Sequence, residues 1–173
     1  MIKFLAGILV TLLFIPIFVY SYVKLGYAPV ATDSPDLPFE RKLAHMGLNA
    51  KIDKEAPKTP PFQASKDDFL SGAHLYREHC ALCHGLPGEP KTFTAQGMYP
   101  RPPQLFKGTG VTDDPAGESY WKIANGIRLT GMPAYKKTLS EKEMWQVSQL
   151  VALADKLPSE VTDVLKKPLP VQP

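Results

Sequence analysis

The sequence predicts an all-α protein: one N-terminal transmembrane helix followed by a small helical domain built around a short cysteine motif. Three observations predict it. An uncharged apolar run fills residues 4–23. Three later segments repeat apolar residues at helical spacing behind recognisable caps, and no strand alternation runs beyond a few residues. The only two cysteines stand together in His79-Cys80-Ala81-Leu82-Cys83-His84-Gly85.

A chain of 173 residues, 44% of them hydrophobic, has room for one domain plus appendages. A net charge of +3, with no basic run, argues against nucleic-acid binding. The 18 prolines fall at ends and in loops and avoid the three helical segments.

Residues 1–24 read as the anchor. Phe4 to Val23 carries no charge, and at the helical rise it spans about 30 Å, the thickness of a hydrocarbon core. Pro16 would kink the helix, which membrane helices tolerate. Tyr20, Tyr22 and Tyr27 cluster where an aromatic belt would sit, and Lys24 ends the span. A cleaved signal peptide is the competing reading. The run is long for one, and the small-x-small site Gly26-Tyr27-Ala28 is followed by Pro29, which disfavours cleavage. Both readings export the rest of the chain. With Lys3 and the amino terminus inside, the expectation is a single-pass protein of the cell membrane with its domain on the periplasmic, extracytoplasmic side.

Residues 25–64 read as a proline-rich linker. A short helix over 38–47 is expected within it: Pro38 in the first turn, Phe39, Leu43 and Met46 on one stripe, Gly47 as the stop. A flexible linker of that length has an end-to-end distance of about 35 Å. The domain is expected over 65–157. Ser65 caps a helix with Asp67 and Asp68 in its first turn, and Phe69, Ala73 and Tyr76 lead into the cysteines. Residues 85–113 should be mostly loop. Asp114-Pro115 opens a second helix through Trp121 and Ile123 that ends at Gly126. Ser140-Glu141-Lys142-Glu143 is a capping box, with Leu139 and Met144 as its staple, and Met144, Val147, Val151 and Ala154 form the stripe behind it. Pro158 should end that helix, leaving 158–173 as an extended tail.

Three chemistries use closely spaced thiols. A structural zinc site needs four ligands, and no further cysteine exists; His45, His74 and His79 lack paired spacing. A redox dithiol expects a βαβ context, which is missing. Covalent haem fits best: Cys80 and Cys83 each join a vinyl group, and His84 becomes the proximal iron ligand. The imidazole then needs an acceptor for its other N–H, and the carbonyls of Pro100, Pro102 and Pro103 are candidates. The sixth ligand must come from elsewhere. His74 and His79 lie on the leading helix, on the wrong side, and His45 is in the linker. Met98 follows His84 by 14 residues, a tight path to the opposite face, whereas Met132 follows by 48. Met132 lies between Gly131, which permits close backbone approach, and Pro133, which stiffens the loop.

From Phe69 to Leu157 the sequence resembles the class I c-type cytochromes, and among them the single-haem domains similar to the third subunit of cbb3-type cytochrome oxidases. The residues that carry the resemblance begin with Gly72-Ala73-His74-Leu75-Tyr76 and the cysteine motif. Tyr99-Pro100-Arg101-Pro102-Pro103 follows, then Trp121 through Asn125-Gly126-Ile127-Arg128, Thr130-Gly131-Met132-Pro133-Ala134, and Trp145 with Leu150-Val151. The resemblance implies the class I cytochrome c fold: three to five helices around one covalent haem c, the first and last crossing. It also implies His84 and Met132 as axial iron ligands. The family commonly has leucine at the position of Met98. The third subunit itself carries two haems, so a chain with one motif is not that subunit as a whole.

A six-coordinate haem exchanges electrons and binds substrate poorly. The expected function is therefore a membrane-anchored monohaem cytochrome passing single electrons between respiratory-chain partners, rather than a catalyst in its own right. Redox proteins and the membrane are the expected partners, with no small-molecule substrate. A fixed haem subunit of a larger membrane oxidoreductase is the alternative, and a haem-based gas sensor a second. Trp121, Tyr99 and Arg101 are candidates for ring or propionate contacts, and Lys136 and Lys137 for steering an acidic partner.

Overall fold

A computed structural model describes residues 1–107 and 114–169. Among these residues every regular element is a helix. The chain divides into two compact units, residues 1–41 and 42–173.

The first unit contains α1 (Ile2–Lys24), a helix with Pro16 inside it and no buried residue. It is 23 residues long, with a mean hydropathy of 2.5 over its most apolar window. That is apolar and long enough to cross a membrane, and a signal sequence would meet the same description. Beyond it, Arg41 pairs with Asp36 at 3.1 Å.

The second unit opens with the bulk of α2 (Glu40–Glu55). The helix expected over 38–47 thus starts two residues late and does not stop at Gly47. Glycine inside a helix costs about 1 kcal/mol, and burial of the following turn offsets this: Ile52 is 2% exposed. The expected linker over 25–64 is therefore divided, and its second half packs into the domain. Pro57 lies so close to Gly117 that a Cβ there would be 1.7 Å from the Pro57 carbonyl oxygen. The Trp121 indole donates to the Glu55 carboxylate at 3.2 Å, and Ala64 N–H donates to Gln149 Oε1 at 3.1 Å.

α3 (Lys66–His79) starts with a capping box: Ser65 Oγ accepts from Asp68 N–H, and the Asp68 carboxylate accepts from Ser65 N–H. α4 (Ala81–His84) follows directly, and Cys80 ends one helix and begins the next. α5 (Phe93–Gly97) is one short turn inside the expected 85–113 loop, capped by the Thr92 hydroxyl; residues 108–113 of that loop lie outside the described residues. α6 (Ala116–Asn125) and α7 (Glu141–Ala152) match the second and third expected helices, with a capping box at Ser140 and Glu143. α7 ends well before Pro158, in a turn at Leu153.

The tail departs most from expectation. α8 (Ser159–Lys166) begins immediately after Pro158, with Val161 and Leu165 both fully buried. Proline suits the start of a helix as well as its end, and the i, i+4 apolar pair supplies the burial that holds α8 on α3. Arg77 completes the contact through the carbonyls of Lys167 and Pro168. Residues 170–173 lie outside the described residues.

α7 is the centre of the unit, packed against α3 and α6. Where α3 and α7 meet, a Cβ on Gly72 would stand 2.7 Å from the Gln146 carbonyl oxygen, so only glycine allows the backbones this close. Tyr120 stacks on Trp145 at 4.2 Å between ring centres. The remaining core, including Tyr76, Ala81, Leu86, Ile123 and Leu150, gathers around the cysteine motif.

Candidate haem site

Helix geometry places the motif. Cys80 N–H closes the last turn of α3 on the Tyr76 carbonyl at 2.8 Å, and His84 N–H closes α4 on the Cys80 carbonyl at 2.9 Å. One turn thus carries both thiols and the imidazole. The exit is fixed by the buried Tyr76 hydroxyl, which donates to the Gly85 carbonyl at 2.7 Å, and the same ring meets Phe106 edge-on at 4.9 Å.

Of the three proline carbonyls open to His84, Pro103 is the one engaged, 2.8 Å from Nδ1. A carbonyl only accepts, so Nδ1 carries the proton, and Nε2 is left with the lone pair. Burial lowers the imidazole pKa, opposed in part by the Pro103 hydrogen bond, so the neutral, ligating form is favoured. Gln104, next in the chain, donates to the Glu89 carbonyl at 3.1 Å and closes the loop that contains these prolines.

The thiols are free rather than bridged. Burial, and then the neighbouring Cys83, push the Cys80 thiol up to about 12, and burial raises Cys83. This is the reverse of the lowered pKa that activates a redox dithiol. Among the described residues no three His, Cys, Asp or Glu side chains gather to hold a metal ion, so a zinc site has no donors to complete it. Two thiols on one turn beside a neutral imidazole whose Nδ1–H is already committed is a donor set that fits haem c.

Met132 is half-buried against the core, in a loop tied to itself and to the motif. Its N–H donates to Thr130 Oγ1 at 3.1 Å, Thr130 Oγ1 donates to the Ile127 carbonyl at 2.7 Å, and Ile127 N–H donates to the Met132 carbonyl at 3.2 Å. Gly126 opens the loop at φ +65°, and a Cβ there would lie 2.8 Å from atoms of Met132, Pro133 and Ala134. Tyr135 bridges to the motif: its hydroxyl donates to the His79 carbonyl at 2.8 Å, and its ring lies 5.8 Å from that of His79. Sequence reasoning had assigned Tyr135 no role; a tyrosine three residues after Met132 was the available signal.

The other candidates are placed as follows. Met98 lies against Gly131. His74 is exposed on α3, and His45 is exposed on α2. His79 faces Glu78 and Tyr135. The Trp121 indole is engaged with Glu55, and Arg101 and Lys137 are exposed. Lys136 donates to Asn125 Oδ1 at 3.4 Å.

The family described as cytochrome c oxidase, cbb3-type, subunit III matches residues 67–151. No curated protein matches the chain. A solved structure titled as the Kuenenia stuttgartiensis reducing HAO-like protein complex is similar at 22% identity and a TM-score of 0.48, over 60% of this chain. This chain spans about half (53%) of the length of the chain it matches there. Over residues 67–151 the chain is thus similar to the cbb3-type cytochrome c oxidase subunit III family of c-type cytochromes.

Proposed function

We propose that this protein is a membrane-anchored monohaem cytochrome that passes single electrons between respiratory-chain partners. Cys80 and Cys83 hold the haem covalently, and His84 and Met132 are its axial ligands. α1 is the anchor, and the domain stands on the periplasmic side. The observation that carries the reading is the Nδ1–H of His84 held by the Pro103 carbonyl, beside two free thiols on the same turn.

When bound, the haem supplies reversible one-electron exchange between ferric and ferrous iron. The chain supplies the rest. Pro103 fixes the imidazole tautomer and ring direction. Tyr76 and Phe106 hold the exit of the motif in an apolar setting. The Thr130 stitch and the Tyr135 bridge hold the Met132 loop over the same region, and a thioether ligand raises the potential. Closure of both axial positions leaves no place for a substrate, which favours a carrier over a catalyst or gas sensor.

One observation favours a second reading, a fixed subunit of a larger membrane oxidoreductase. Residues 42–64 belong to the domain unit, and α2 begins at Glu40, so only residues 25–39 lie between α1 and α2. A flexible stretch of that length reaches about 21 Å, well short of the reach expected for 25–64.

The test is made on full-length protein extracted from membranes. Its mass should exceed the polypeptide by one haem, and its oxidised form should show the weak red charge-transfer band of methionine-ligated iron. Met132→Ala should abolish that band while the mass is kept. A band that survives Met132→Ala, or a mass equal to the polypeptide alone, refutes the reading. Co-extraction with other redox proteins at fixed stoichiometry would favour the subunit form.

A further inference from the structure

We infer that Met98, rather than being filler, is a positioning residue that clasps the Met132 loop shut. The inference rests on the ligand assignment above. Met98 Cε occupies the space where a side chain on Gly131 would begin: a Cβ there would be 2.0 Å from Cε and 3.7 Å from Sδ. The thioether thus seats on the backbone of the residue immediately before Met132, in the space that a side chain on Gly131 would share with it.

The other end of the clasp is anchored on the motif. The Thr92 hydroxyl donates to the carbonyl of Leu82, one of the two residues between the cysteines, at 2.6 Å. The same oxygen accepts from Ala95 N–H at 3.1 Å and so caps α5. The path from Leu82 through Thr92 and α5 to Met98 therefore joins the turn bearing Cys80, Cys83 and His84 to the loop bearing Met132. Tyr135 makes the same connection from the other side of that loop, through the His79 carbonyl.

The consequence follows from loop energetics. The bonds among Ile127, Thr130 and Met132 are internal to the loop, and they persist if it swings outward as a unit. Contacts made only in the closed position set how often it opens. Of these, Met98 touches the residue next to the ligand. An external ligand competes for the iron whenever the loop is open, so loss of Met98 should show as easier replacement of Met132 with the covalent haem intact.

The experiment titrates imidazole into oxidised, full-length holoprotein and follows the optical change. Met98→Ala should keep the methionine charge-transfer band in the absence of imidazole and bind imidazole about tenfold more tightly, equivalent to about 1.4 kcal/mol. Met98→Leu, which restores apolar bulk, should titrate within twofold of the unaltered protein. Thr92→Val, which removes the far anchor, should shift affinity in the same direction by a smaller factor. Unchanged imidazole affinity in Met98→Ala overturns the inference, and so does Met98→Leu binding as tightly as Met98→Ala. If Met98→Ala yields no holoprotein, Thr92→Val decides alone, and an unchanged titration overturns the clasp. Failure of the underlying ligand assignment is separately visible, because the band would then survive Met132→Ala before any imidazole is added.

Discussion

Cys80, Cys83 and His84 stand at a junction of helices, whereas Met132 stands in a loop, and the two sides are held by different kinds of contact. On the cysteine side, the backbone is closed by helical hydrogen bonds, and a fully buried tyrosine locks the exit. On the methionine side, the loop is folded on itself by Thr130 and Ile127 and reaches the motif through Tyr135. The cysteine side is thus part of the core and should open only with global unfolding, while the methionine side can open locally. Under the proposed ligation, this division would keep the haem fixed on the cysteine side and make Met132 the more easily displaced ligand.

The largest expected effect tests the cysteine side. His84→Ala should convert low-spin to high-spin haem in the visible spectrum while the added mass is kept, and Cys80→Ser with Cys83→Ser should remove covalent haem, read as loss of the added mass. The next tests the methionine side alone. Gly126→Ala puts a Cβ within 2.8 Å of three backbone atoms of the Met132 loop, at φ +65° and ψ −177°, a region essentially restricted to glycine that costs about 1–3 kcal/mol before any clash. Covalent haem should be retained and the charge-transfer band lost. Retention of both would mean that the loop tolerates displacement and that the comparison is overdrawn.

A pair of tyrosines sharpens the contrast further. Tyr76→Phe leaves the Gly85 carbonyl buried without its partner, for which about 1–3 kcal/mol of global stability should be lost. Tyr135→Phe removes a half-buried bond to His79 and should cost nearer 1 kcal/mol. Denaturation of the holoprotein should show the first as a shift in the unfolding midpoint. The second should appear chiefly as easier loss of the methionine band at sub-denaturing concentrations.

The parts legible in the sequence were those encoded over a few neighbouring residues. The N-cap at Ser65 and the capping box at Ser140 are local, and both formed. Pro103 was among three carbonyls named, but choosing it required the path of the loop, which no local pattern states. α2 beyond Gly47 and α8 were missed for a different reason. Their helicity is supported by burial of Ile52, Val161 and Leu165, which local sequence does not show, whereas a glycine and a proline at those positions signal stops. The Met98 seat on Gly131 and the Tyr135 bridge join residues tens of positions apart, and each looks ordinary in sequence.

The smallest effect concerns the junction of α3 and α7, beneath the cysteine side. The Asp68 carboxylate accepts from Gln146 Nε2 at 2.9 Å and from Ser65, and lies 3.3 Å from Lys142 Nζ. These hydrogen bonds, Gln146 first, hold its pKa well below the usual carboxylate range. A lowered folded-state pKa means that the stabilisation is present above the unfolded value of about 3.9 and fades as pH falls through and below it. Unaltered holoprotein should therefore lose stability from about pH 5 downward, in part through Asp68. Asp68→Asn keeps the shape but not the charge, so it should be less stable at pH 7, and its deficit should shrink as the pH is lowered. Other acid-labile groups are common to both proteins, so the difference between their denaturation midpoints isolates Asp68. A deficit that stays constant from pH 7 to pH 3 would show that the ionised carboxylate contributes nothing beyond its hydrogen-bond geometry.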